Sequence, residues 1–116
     1  MKKEYKKATK LMSKDRFLKD KWYRMSRRVK GDPTYTNRPH LYKGLNLCSK
    51  KHFMEWATSH PWFNRLWNAY IRSEREIRFA PSIDRKDNSL GYVEGNMRWI
   101  THSKNCSLGA SSITRK

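Results

Sequence analysis

The sequence predicts a small α+β fold, with helices over residues 10–78 followed by a two-stranded hairpin and a closing helix within 80–112. Three observations carry this. Apolar residues recur at helical spacing through the first two thirds of the chain. Two short extended runs, one ending at Asp84 and one spanning Met97 to Ile100, flank a loop punctuated by Gly91 and Gly95. After the second run, a helix is expected to open near Thr101 or Ser103.

The elements follow in order. Residues 1–9 are basic and poor in apolar side chains, so an unordered or fraying arm is expected there. Leu11, Leu18, Trp22, Met25 and Val29 form one stripe of a long amphipathic helix, with Ser13 a candidate cap near its start and Gly31-Asp-Pro its stop. The Lys and Arg residues between them make the opposite face. Residues 31–47 read as a loop rich in Pro, Asn and Tyr. Ser49 caps a short helix that buries Phe53, Trp56 and Ala57. Pro61 breaks or restarts it, and a second helix carries Phe63, Leu66, Trp67, Tyr70 and Ile71 at helical spacing. Arg72, Arg75 and Arg78, three apart, are expected to line one helical surface as a phosphate-contacting ridge. Ile83 and Trp99 are expected to pack the hairpin against the closing helix and the aromatics before it.

A chain of 116 residues has room for one domain. Within it the sequence separates a basic arm and amphipathic helix (1–30), a loop with aromatic-rich helices (31–79) and a hairpin–helix unit (80–116). Only 36% of residues are hydrophobic, but five Trp, six Tyr and four Phe supply large buried areas from few positions. No apolar segment follows the basic N-terminus and none approaches membrane-spanning length, so a cytoplasmic protein, neither secreted nor membrane-bound, is expected. Cys48 and Cys106 lie far apart with no CxxC pair, so no structural zinc is expected and both are read as reduced thiols.

The formal net charge is +17. Residues 1–30 alone hold thirteen Lys or Arg against Glu4, Asp15 and Asp20. A face that merely needs solvation usually mixes signs, whereas a field of one sign draws polyanions. The partner implied is nucleic acid, contacted mostly through its phosphates, with Lys21, Arg24, Arg27, Arg28, Arg72, Arg75, Arg78, Arg98 and Lys104 as candidate contacts.

Chemistry concentrates in the last third. Asp84, Asn96 and Asn105 fall on the end of the first strand, the end of the loop and the first turn of the closing helix. Oxygen ligands on a strand and a helix of one ββα unit can hold a hard divalent cation against a phosphate. Asp84 offers an anionic oxygen and Asn105 a neutral one, and Mg²⁺ or Mn²⁺ is the ion expected.

The stretches Ser-Ile-Asp-Arg-Lys-Asp-Asn (82–88), Gly-Asn-Met-Arg-Trp-Ile (95–100) and Thr-His-Ser-Lys-Asn (101–105) resemble, in this order, the motif of the HNH (ββα-metal) nucleases, in particular small phage and homing-type members. The resemblance covers about a quarter of the chain. It implies a metal-dependent endonuclease that nicks or cleaves DNA, with Asp84 and Asn105 on the metal and Asn96 tying the loop and orienting the catalytic group. One position departs from the family. Members that cut DNA usually carry His directly after the metal Asp, as the base for the attacking water, and here that residue is Arg85. A guanidinium stays protonated and is no general base, though it can clamp a phosphate or orient a water. His102, three residues before Asn105, stands as substitute base, second metal ligand or simple residue near the helix cap. Tyr92 reads as a structural loop aromatic. The departure opens two further readings: a DNA- or RNA-binding protein on an HNH scaffold that no longer cuts, and a phage effector that binds a host protein.

Overall fold

In a computed structural model, residues 4–114 are described. They form four α-helices and one two-stranded antiparallel sheet, the α+β arrangement expected. Two units can be distinguished. One holds the described residues up to Leu11, His60–Asp84 and Trp99 onward, and the other holds Met12–Ser59 and Arg85–Arg98. Each is assembled from segments distant in sequence, so they cut across the three-part division drawn above. Among the described residues, no helix is long and apolar enough to cross a membrane.

In the second of these units, Ser13 opens the first helix by accepting the Arg16 N–H at 3.2 Å, which satisfies a donor with no intrahelical partner. This helix, α1, spans Lys14–Val29. Leu18 and Met25 are buried and Trp22 and Val29 half-buried, as the spacing requires. Leu11 is the exception. It lies on the far side of the cap, outside the helical repeat, and is 80% exposed. Gly31, at φ +76°, ends the helix in a conformation that side chains with a Cβ avoid. Ser49 caps α2 (Lys50–Thr58) through the His52 N–H at 3.1 Å. Helices α1 and α2 pack on each other, burying Leu18, Met25, Phe53 and Ala57. The Trp22 indole N–H donates to the Cys48 carbonyl at 2.9 Å. Cys48 itself is only half-buried, less enclosed than a small core residue would be.

The first unit is organised by α3 (Pro61–Arg72), where Pro61 restarts the helix at its first position, a site that needs no N–H. Phe63, Leu66, Trp67 and Tyr70 form its buried face. The strands are β1 (Pro81–Arg85) and β2 (Met97–Thr101), and α4 (His102–Thr114) follows without a linker. Trp99 of β2 meets the Phe63 ring at 4.5 Å between centroids and is 1% exposed. Ile83, expected to share that role, is half-buried.

Two expectations fail here. The helix does not continue through Arg75 and Arg78. The Ser73 hydroxyl donates to the Tyr70 carbonyl at 2.7 Å, and Glu74 and Arg75 both adopt φ +62°. Arg78 then lies in a 3₁₀ turn, Ile77–Phe79. The N-terminal arm is also not loose along its length. Ala8 N–H donates to the Arg75 carbonyl at 2.8 Å and Ile77 N–H to the Lys6 carbonyl at 2.9 Å, an antiparallel bridge centred on Lys7 and Glu76. The kink leaves backbone groups in need of partners, and the arm supplies them. Residues 1–3 of the expected arm lie outside the described residues.

Candidate metal centre and nucleic-acid interface

The closing helix is tied to β1 through Asn105. Its Nδ2 donates to the Ser82 hydroxyl at 2.8 Å and approaches the Ile83 carbonyl at 3.4 Å. A carbonyl can only accept, so the nitrogen must face β1. The helix is also anchored by its backbone, with His102 N–H donating to the Ala80 carbonyl at 2.8 Å. Thr101 accepts the Lys104 N–H at 3.2 Å, as a capping side chain does.

Asp84 sits two residues beyond Ser82 on the same strand. Side chains in a strand alternate with period two, so Asp84 shares the face on which Ser82 meets Asn105. Sequence alone assigned no role to Ser82, although that period, counted back from Asp84, was the available signal. Among the described residues no group of three or more His, Cys, Asp or Glu side chains is placed to hold a metal ion. The donor set offered here is one carboxylate, Asp84, and one neutral amide, Asn105. That composition fits a hard ion such as Mg²⁺ or Mn²⁺, which keeps several waters.

His102, the first residue of α4, is exposed and its Nε2 lies 3.5 Å from the Cys106 sulfur one turn on. The side chain is thus accessible on the helix that carries Asn105.

The loop of the second unit is built around Asn96, only 5% exposed. Its Oδ1 accepts the Asp87 N–H at 2.9 Å, and its Nδ2 donates to the carbonyls of Asp87 at 3.1 Å and Gly91 at 2.9 Å. Every polar atom of the amide is engaged with loop backbone. Asp87 also accepts from the hydroxyl and N–H of Ser89, which hold its carboxyl below the usual range. Gly91 permits a close approach that no other residue would: a Cβ there would stand 1.8 Å from the Asn46 carbonyl oxygen. Tyr92 then bonds the same strand-like segment on both sides, its N–H to Asn46 and its carbonyl from Cys48 N–H, each 2.8 Å.

Arg85 is part of this framework. It is 9% exposed, and its Nη1 donates to the carbonyls of Asn88 at 3.0 Å and Leu90 at 3.1 Å. The guanidinium lies over the Tyr42 ring at 4.4 Å and near Tyr92 at 5.4 Å, and those two rings are stacked. Instead of an open position suited to clamping a phosphate or orienting a water, the guanidinium is buried, with Nη1 held by two loop carbonyls and the ring of Tyr42 against it. Tyr92 is structural as read from sequence. Burial pushes its phenol up, with Arg28 beside it pulling the other way.

The candidate nucleic-acid contacts divide. Arg98, Lys104 and Arg72 are exposed. Arg24 is exposed but paired with Asp20 at 2.8 Å. Arg27 is bound by Asp32 through two bonds of 2.8 and 2.6 Å, and Arg28 is half-buried. Asp32 is held below the usual carboxylate range by the Thr34 N–H and then by Arg27. Lys21 is half-buried, and burial lowers its ammonium to about 8, with Arg28 and Arg24 adding and Asp20 opposing. The ridge of Arg72, Arg75 and Arg78 does not form. Arg75 sits in the kink, and Arg78 is bonded to Glu76 at 2.9 Å and lies 3.4 Å over the Tyr5 ring.

Compared with protein-family models, curated proteins and solved structures, the chain gives no match to any of them.

Proposed function

We propose that the chain is a metal-dependent endonuclease of HNH type acting on DNA phosphodiesters. The observation that carries this reading is the Asn105 clamp, whose Nδ2 bonds to Ser82 and Ile83 hold the amide of α4 against the strand that also bears Asp84. Asp84 and Asn105 are the residues that would hold the ion. When bound there, a hard divalent cation supplies polarisation of the scissile phosphate and stabilises charge on the leaving 3′ oxygen. Ser82 fixes the Asn105 amide, and Asn96 fixes the loop through its three backbone bonds. Arg98 and Lys104, both exposed, draw the phosphate backbone. His102, exposed at the start of α4, is the residue proposed to accept a proton from water.

Arg85 favours a second reading. Its guanidinium occupies the position of the motif His and is buried in the loop, which suits a scaffold that binds nucleic acid and does not cut it. Supercoiled plasmid incubated with Mg²⁺, Mn²⁺ or EDTA separates the two, with Asp84→Ala prepared identically. Metal-dependent nicking lost in Asp84→Ala supports the nuclease. Intact plasmid with a retained mobility shift selects the binding protein instead.

A further inference from the structure

We infer that the outer face of α3 is a DNA-contacting surface, formed by Trp62, Arg65, Asn68 and Arg72. This rests on the proposal that the chain acts on DNA and adds the element that docks on it. All four residues are exposed, and their spacings of three, three and four place them on one side of the helix. The opposite side carries Phe63, Leu66, Trp67 and Tyr70, all buried. Over ten residues the stripe runs about 15 Å, at roughly 1.5 Å per residue.

Its chemistry is selective. The helix has no Asp or Glu, so nothing along it neutralises Arg65 or Arg72. This distinguishes α3 from α1, where Lys19, Arg24 and Arg27 are each paired with an Asp. Trp62 is 47% exposed while Trp67 and Trp99 in the same unit are buried. A large aromatic left in water beside guanidinium groups that form no ion pair among the described residues suits a polyanion that also has flat, apolar faces, and nucleic acid is that partner. Arg and Asn are also the side chains that read base edges bidentately, and an α-helix of this width fits the major groove of duplex DNA.

The test is salt-dependent binding of the full chain to a DNA duplex, followed in parallel with plasmid nicking. The Arg65→Ala/Arg72→Ala pair is compared with Lys50→Ala/Lys51→Ala, which removes the same charge from the exposed start of α2. The α3 pair is expected to weaken binding at least tenfold more than the α2 pair. It should also lower the slope of log K against log salt by about 1.8, close to 0.9 per lost phosphate contact. Trp62→Phe reports independently: the change in tryptophan fluorescence on DNA binding should be largely lost in this variant, whose fold is checked by its thermal melt. If the wild type binds and the two double variants are equal in affinity and slope, the α3 surface is wrong while the function stands. If the wild type binds no DNA at all, both fall together.

Discussion

Asn105 donates to the Ser82 hydroxyl at 2.8 Å, which joins α4 to β1 two residues before Asp84. In the proposed metal site, Ser82 would act on a bound ion only by holding Asn105. Partners of this kind typically change metal affinity by about 10- to 100-fold. Ser82→Ala is expected to raise the Mg²⁺ concentration needed for half-maximal nicking by about tenfold, with the rate at saturation nearly kept. Asn105→Ala removes the proposed ligand and should abolish nicking at any Mg²⁺ concentration. A Ser82→Ala titration that overlays the wild type would show that the clamp has no part in the metal site.

Asn96 makes three bonds to the backbone of its loop while almost wholly buried. Asn96→Ala leaves an N–H and two carbonyls short of partners, which should cost about 2–4 kcal/mol given roughly 1–3 for a buried unsatisfied group. Asn96→Asp should be no better, since it keeps the acceptor and loses both donors. Urea unfolding measures both. Loss of activity in Asn96→Ala with unchanged stability would instead mark a residue that touches the reaction directly.

The parts of the site that were legible in the sequence are those set by local rules. Ser13 and Ser49 announce helix starts, and the strand–loop–helix spacing of Asp84, Asn96 and Asn105 survives in the fold. What was not legible depends on residues far apart in sequence. Nothing near Arg85 says that Tyr42 will supply its aromatic cover, and nothing near Glu76 says that Lys7 will lie alongside. The kink at Glu74 and Arg75 was hidden for a different reason. It contains neither Gly nor Pro, the residues that usually mark a left-handed turn. The expected arginine ridge therefore ended one residue short of Ser73.

That kink offers its own test. Glu74 holds φ +62°, and its exposed side chain pairs with Lys7 at 3.6 Å. A left-handed residue with a Cβ costs roughly 1–2 kcal/mol, partly offset by the larger unfolded-state entropy of Gly. Glu74→Gly is expected to stabilise the protein by about 0.5–1 kcal/mol in thermal or urea unfolding. A destabilised variant would mean that the Lys7 contact outweighs the relief of strain.

Arg85 distinguishes a structural residue from a catalytic one. Its two carbonyl bonds and the Tyr42 ring predict that Arg85→Ala destabilises the protein by about 2–3 kcal/mol, at roughly 1 kcal/mol for each bond or cation–π contact. Arg85→Lys should rescue little, because a single ammonium cannot reproduce the fork and the stack together. Nicking per folded molecule should be unchanged in Arg85→Ala. A stable Arg85→Ala protein with lost activity would return the guanidinium to the reaction.

Lys21 makes stability depend on pH in a direction that can be worked out. Its ammonium titrates near 8 in the folded protein against 10.5 in the unfolded chain, chiefly because burial disfavours the charge. Between those values the unfolded state holds a proton that the folded state has released. Stability from this group therefore rises as pH increases from about 8 to 10.5, and its penalty is fully present below 8. Lys21→Met keeps the length and removes the charge, so it should be more stable than wild type at pH 7, with the advantage shrinking toward pH 10. Paired thermal melts across that range check the sign, and a constant difference between the two proteins would show that Lys21 titrates normally. DNA adds a second reading. A phosphate beside Lys21 would restore its proton, so wild-type binding at pH 8.5 should take up a fraction of a proton that Lys21→Met does not.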